Sequence, residues 1–139
     1  ENGSRIVYLP ADTDRRFARD YIPDHGDLLA RLVCWAVKDE LPLQVDGPGL
    51  IDCHLYTQPG RFVLHLVNLT NVSTWRTPVH ELVPVGSMRV RVRMANASSR
   101  SKVRSLVSNV ALRAENRDGW CDFELTSILD HEVLVVEQR

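Results

Sequence analysis

The chain has 139 residues, 17 basic against 18 acidic side chains and a 44% hydrophobic composition, a globular profile long enough to bury a core without metal or disulfide support. A formal charge of -1 lacks the basic excess of nucleic-acid binders, and no apolar run approaches the roughly 18 residues of a membrane span. The first residues, Glu1 to Ser4, have no signal-peptide character and no initiating Met, so the chain reads as a mature form or a fragment cut from something longer.

Arg5-Ile6-Val7-Tyr8-Leu9-Pro10 predicts a short strand buried on both faces and closed by Pro10. Ala11 to Ile22 reads as a polar loop in which Asp12, Asp14 and Asp20 are solvated rather than gathered on a cation. Pro23 to Asp27 predicts a helix start, with Asp24 as N-cap and both carboxylates at the positive end of the dipole. Leu28, Leu29, Leu32, Val33, Trp35, Ala36 and Val37 recur at helical spacing, and the helix is expected to end at Lys38-Asp39-Glu40. A parallel strand needs neighbours on its edges and cover on its faces. One strand and one helix therefore predict the last β-α unit of an α/β domain whose earlier strands lie outside this chain.

From Leu43 the pattern becomes all-β, with strands expected at Leu43 to Val45, Leu50 to Tyr56, Phe62 to Leu69, Met88 to Met94, Val103 to Val107, Val110 to Arg113, Trp120 to Leu125 and Glu132 to Glu137. Short strands with hairpin-length connections predict an antiparallel β-sandwich. The expected fold class is thus mainly β: residues 1–41 as the left-over β-α unit, residues 42–139 as the sandwich.

Gln58-Pro59-Gly60-Arg61 fits a type II turn, with Pro and Gly at its two central positions. Counting outward, this register places Ile51, Cys53 and Leu55 on one apolar face with Phe62, Leu64 and Leu66. Asp52, His54 and Tyr56 share the other face with Val63, His65 and Val67, and His54 falls directly opposite His65.

Two facing imidazoles are half of a metal site, and spacing identifies no third ligand, so no metal and no cofactor is expected. His80 and His131 sit near turns without a visible partner. Met88 to Met94 alternates Arg89, Arg91 and Arg93 against Met88, Val90, Val92 and Met94. Residues 88–104 carry six basic groups and no acid, while residues 115–137 carry seven acids and one Arg. Neighbouring strands are therefore expected to neutralise one another.

Trp75 falls in a loop, Trp120 at a strand start, and loop-borne aromatics of this kind can stack on sugar rings; the more ordinary role is a lid over the sandwich ends. Cys34, Cys53 and Cys121 are expected as buried free thiols in apolar surroundings, with one disulfide among the three as the alternative. Asn2, Asn68, Asn71 and Asn96 begin N-glycosylation sequons. There is no G-x-S-x-G, H-E-x-x-H or phosphate loop, and no catalytic residue is assigned.

The order of motifs carries a resemblance. Gly3-Ser4-Arg5-Ile6-Val7-Tyr8-Leu9-Pro10, Asp24-His25-Gly26-Asp27-Leu28-Leu29 leading to Trp35-Ala36, Gly47-Pro48-Gly49-Leu50-Ile51-Asp52-Cys53-His54-Leu55-Tyr56 and Gln58-Pro59-Gly60-Arg61 follow one another, with Ser127 to Val136 near the end. This succession resembles the C-terminal region of bacterial glycosyl hydrolases similar to the trimeric β-galactosidases. Such enzymes combine a (β/α)₈ catalytic barrel, a flavodoxin-like or glutamine-amidotransferase-like trimerisation domain and a small terminal β-domain. The resemblance implies that residues 1–41 close the trimerisation domain and that residues 42–139 are the β-domain. It places the catalytic carboxylates in a barrel outside this sequence.

The expectation from sequence is a non-catalytic C-terminal accessory portion of a glycoside hydrolase. Its partners would be the catalytic barrel and the rest of the α/β domain, with neither nucleic acid nor membrane. An exposed apolar surface on Ile6 to Leu9 and on the Leu28 to Val37 helix would mark the missing partner. The alternatives are an independent carbohydrate-binding module using Tyr56, Trp75, His54 and His65, and a homo-oligomeric scaffold.

Overall fold

The computed structural model describes residues 3–20, 22–38, 40–70, 81–94 and 101–138. The chain separates into two compact units, Glu1–Pro42 and Leu43–Arg139.

The first unit holds two helices, α1 (Thr13–Asp20) and α2 (Pro23–Ala36). α1 replaces the expected polar loop. Its apolar content, the adjacent Phe17 and Ala18, is too short to show a period, yet Arg16 N–H donates to Asp12 O at 3.0 Å and opens the helix. Arg16 and Asp20, four residues apart, pair at 3.5 Å. The helices meet where Phe17 lies over Gly26: a Cβ on Gly26 would fall 2.6 Å from the ring, so only glycine permits this approach.

α2 begins two positions earlier than the carboxylate pattern implies. Ile22 is the N-cap, in extended conformation, because a residue preceding proline is excluded from the helical region. Pro23 takes the first helical position, and Asp24 moves inside the first turn instead of capping it. The helix stops at Ala36, earlier than expected, where Val37 caps it and Lys38 turns into the left-handed region at φ 56°. Arg5 reaches this end, donating from Nη1 to Trp35 O at 2.7 Å and lying 5.0 Å from the Trp35 ring centre. A guanidinium there complements the negative end of the helix dipole.

The expected strand at Arg5 to Pro10 is not formed: residues 3–10 are neither strand nor helix. No described strand offers them a ladder, and Ile6 and Tyr8 stand 86% and 85% exposed. Leu28, Val33, Trp35 and Val37 of the helical segment are exposed as well, and α2 has no buried residue.

The second unit is a β-sandwich with nine strands among its described residues: β1 (Leu43–Asp46), β2 (Ile51–Gln58), β3 (Arg61–Asn68), β4 (Met88–Arg93), β5 (Lys102–Ser105), β6 (Ala111–Leu112), β7 (Ala114–Arg117), β8 (Trp120–Leu125) and β9 (His131–Glu137). One sheet has the order β1-β4-β8-β7, the other β2-β3-β9-β5-β6, with every pairing antiparallel. β7 escapes sequence reading because Ala-Glu-Asn-Arg has little strand propensity; its pairing to β8 makes it a strand.

The core lies between the sheets. Met88, Val90, Val92, Cys121, Phe123 and Leu125 face Leu64, Leu66, Val103, Leu134 and Val136 from the other side, and Ile51, Cys53, Leu55 and Phe62 pack against its margin. The strict alternation of β4 explains its role: Met88, Val90 and Val92 are wholly buried while Arg89 and Arg93 are exposed. Val85 and Ile128 bridge two loops through reciprocal backbone bonds of 2.9 and 2.7 Å.

The β2–β3 hairpin has the expected register, Gln58 opposite Arg61 and His54 opposite His65. Gly60 adopts φ +74°, as the third position of a type II turn requires.

Candidate functional site

The register gathers three of the four candidate residues on the outer face of β2 and β3. The rings of His54 and Tyr56 stack with centroids 6.5 Å apart, and Tyr56 meets His65 edge-on at 5.6 Å. Tyr56 is 55% exposed. His54 Nε2 is held by the Asp52 carboxylate at 3.0 Å. Across β3, the same face continues into β9, where Val133 lies opposite His65 and His131 opposite Val67. His131 Nδ1 pairs with Asp130 at 3.1 Å. The result is an open aromatic and imidazole surface bordered by half-buried valines, with hydrogen-bonding groups beside an exposed phenol. The fourth candidate, Trp75, lies outside the described residues. Among the described residues no cluster of three or more His, Cys, Asp or Glu side chains forms a metal-binding group.

Trp120 occupies the outer face of the other sheet, and its ring is engaged by two guanidinium groups. The guanidinium of Arg91 lies 4.9 Å and that of Arg93 5.0 Å from its ring centre. Arg89 Nε donates to both Asp122 oxygens at 3.0 Å, and Arg89 Nη2 makes a further bond to the same carboxylate. Arg91 donates to Gln44 Oε1 at 2.9 Å. The arginine row is therefore met by acids and by an indole on the adjoining strand, as the charge distribution predicts. Hydrogen bonds from Arg89 hold the Asp122 carboxyl below the ordinary carboxylate range, against the opposing effect of burial.

The cysteines are free thiols; Cys121 is buried, Cys34 and Cys53 half-buried. Burial pushes both the Cys53 and Cys121 thiols up, which disfavours the thiolate a nucleophile needs. Asp12 and Asp20 are paired with arginines of α1.

Two polar clusters were not read from sequence. Asn68 donates through Nδ2 to Val83 O at 2.9 Å and Leu129 O at 2.8 Å, while its Oδ1 accepts from Thr70 N–H at 3.0 Å. Thr70 Oγ1 in turn accepts from Leu50 N–H at 3.0 Å. The Asn-x-Thr triplet visible in the sequence is thus a structural clasp; Asn and Thr side chains commonly satisfy backbone groups in this way. Asn2, Asn71 and Asn96 lie outside the described residues.

Glu132 is the second cluster. It is 5% exposed and faces inward. Its carboxylate accepts from Val107 N–H at 3.0 Å and Ser108 N–H at 3.2 Å, and Ser105 and Ser108 bond through their hydroxyls. Burial acts to raise its pKa, but the bonds from Ser105, Val107, Val133 and Ser108 outweigh it and leave the carboxyl below its ordinary value. Both fix loops at one end of the sandwich.

No family model matches the chain, and no curated protein sequence does. Solved structures do match in fold. The chain is similar to an α-L-fucosidase isoenzyme 2 from Paenibacillus thiaminolyticus, with a TM-score of 0.76, 14% identity and coverage of 95% of this chain. A cycloisomaltooligosaccharide glucanotransferase from Paenibacillus sp. matches with a TM-score of 0.51 and 14% identity over 68% of this chain. The fold is shared with carbohydrate-active enzymes. The chain spans only 20% of the fucosidase and 16% of the glucanotransferase. At this identity the likeness concerns the fold.

Proposed function

We propose that this chain is a non-catalytic C-terminal accessory portion of a glycoside hydrolase, resembling the end of the trimerisation domain and the terminal β-domain of the β-galactosidase-like enzymes. The observation that carries the reading is the fold match to the fucosidase, which takes in 95% of this chain and only a fifth of the enzyme. The exposed Ile6, Tyr8, Val33 and Trp35 add support, since a folded unit that leaves such side chains in water is expected to bury them against a neighbour. The partners are then the catalytic barrel and the remainder of the α/β domain. The role is to complete and orient that assembly. Incubating the chain with a panel of aryl glycosides, α-L-fucoside included, tests this: no release of aglycone is expected, and turnover by this chain alone overturns the reading.

A second reading, a carbohydrate-binding module, is favoured by one observation, the exposed Tyr56 set between His54 and His65. A sugar ring would stack on the phenol while the imidazoles and Asp52 bond its hydroxyls. Glycan-array binding that disappears on Tyr56→Ala supports this module; an array without binding excludes it.

A further inference from the structure

β2 is the outermost strand of the five-stranded sheet, and its second edge pairs with no described strand. The pairing at its start tells which groups point there. Leu69 N–H donates to Leu50 O at 2.8 Å, so even-numbered residues turn their backbone groups toward β3. Alternate residues of an antiparallel ladder face the other way. Ile51, Cys53, Leu55 and Thr57 therefore present a row of N–H and C=O groups outward. Sheets normally blunt such edges with short strands, Lys, Pro or bulges. The other edge strands are short, four residues in β1 and β7 by pairing and two in β6. β2 runs eight residues with no Lys, Pro or break in register.

The side chains select the occupant. We propose that this edge receives β2 of a second copy of the chain, antiparallel, about a two-fold axis at Cys53, so that two five-stranded sheets become one. In that register Asp52 lies opposite His54 of the second copy, and His54 opposite its Asp52. Ile51 meets Leu55 on the inner face, and Leu50 meets Tyr56 on the outer one. Acid against imidazole and apolar against apolar are favourable cross-strand pairs, and the two-fold repeats each of them. Asp52 and His54 are 50% and 53% exposed, so both are accessible to such a partner. Moving the axis to Leu55 would set Asp52 against Gln58 and Cys53 against Thr57, losing the charge match. A cleft lined by Val45, Gly47, Leu50, Ile51, Cys53 and Met88 opens beside the same edge, and Leu55 of the second copy would cover it.

This inference concerns the sandwich alone and stands whether or not the accessory reading does. Sedimentation of the full chain at about 100 μM is the first measurement, a concentration at which micromolar association is complete. A dimer is expected, weakened about tenfold or more by Asp52→Lys, which sets a lysine against the second copy's imidazole on an exposed position. Cys53→Pro removes an N–H that β3 does not use and is expected to weaken it further. A monomer, or a dimer indifferent to both Asp52→Lys and Cys53→Pro, overturns the proposal.

Discussion

Asn68 donates its side-chain amide to the carbonyl of Leu129 at 2.8 Å, joining the end of β3 to the loop that precedes β9 across 61 residues of chain. The same nitrogen also holds Val83, so one side chain reinforces the backbone bonds that join these three segments, from Asn68 N–H to Asp130 O and between Val85 and Ile128. Removing it loses two hydrogen bonds to exposed carbonyls that water can partly replace, at a cost of about 0.5–1.5 kcal/mol each. Asn68→Ala is therefore expected to lower the urea midpoint of the sandwich with an unchanged m-value. Asn68→Asp, which retains the acceptor for Thr70 but loses the donors, should cost at least as much. Because the Nδ2 protons are already donated, peptide mapping of folded protein from a glycosylating host should find Asn68 bare.

Glu132 makes stability depend on pH in a definite direction. Its folded pKa lies below the unfolded value near 4.5. The ionised form thus stabilises the fold fully above that value, and this contribution is lost as pH falls through 4.5 and on through the lower folded value. Glu132→Gln is expected to be destabilising by about 1–3 kcal/mol at pH 7. The gap between variant and wild type in urea unfolding should narrow as pH falls toward 3. A gap that stays constant or widens in acid would show that the carboxylate charge is not what holds Val107 and Ser108.

Gly86 follows the Val85–Ile128 bridge, and a Cβ there would lie 2.7 Å from Ser127 Cα. Backbone cannot yield as a side chain does. Gly86→Ala should cost about 1–3 kcal/mol, visible as a lower Tm, whereas Gly60→Ala meets no atom within 4 Å and suffers only from its positive φ.

Tyr56 stands half in water and packs against two imidazoles rather than the core. Tyr56→Ala should change stability by no more than about 0.5 kcal/mol. Any glycan affinity of the face should vanish with it, so calorimetry on a folded variant separates ligand binding from structural loss.

The sandwich was legible because its strands announce themselves twice, by alternation and by turns. Met88 to Met94 alternates without exception, and Pro59-Gly60 fixes the hairpin register tightly enough to set His54 opposite His65. The first forty residues were harder for opposite reasons. Ile6 to Leu9 has the composition of a buried strand but no described strand to pair with, and hydrogen bonding rather than composition makes a strand. α1 has a single large apolar residue, Phe17, whose contact with Gly26 is tertiary and leaves no period to read. The Asn68 and Glu132 clasps were invisible because their partners are backbone groups of distant residues. At Asn68 the clue was present, since the Asn-x-Thr that marks a sequon also marks side chains suited to local backbone bonding. For the candidate surface, register alone brought Tyr56, His54 and His65 together, whereas Trp120 lost its claim through the guanidinium groups of Arg91 and Arg93, contacts that only the sheet order reveals.

A place within a larger carbohydrate-active enzyme, as proposed for this chain, has consequences for the native gene product. The most direct measurement is the intact mass of the native gene product that contains it, purified from its source. A polypeptide large enough to include a catalytic barrel, hydrolysing a glycoside, is expected; a native product no longer than these 139 residues, or a longer one without glycosidase activity, would contradict the proposed role.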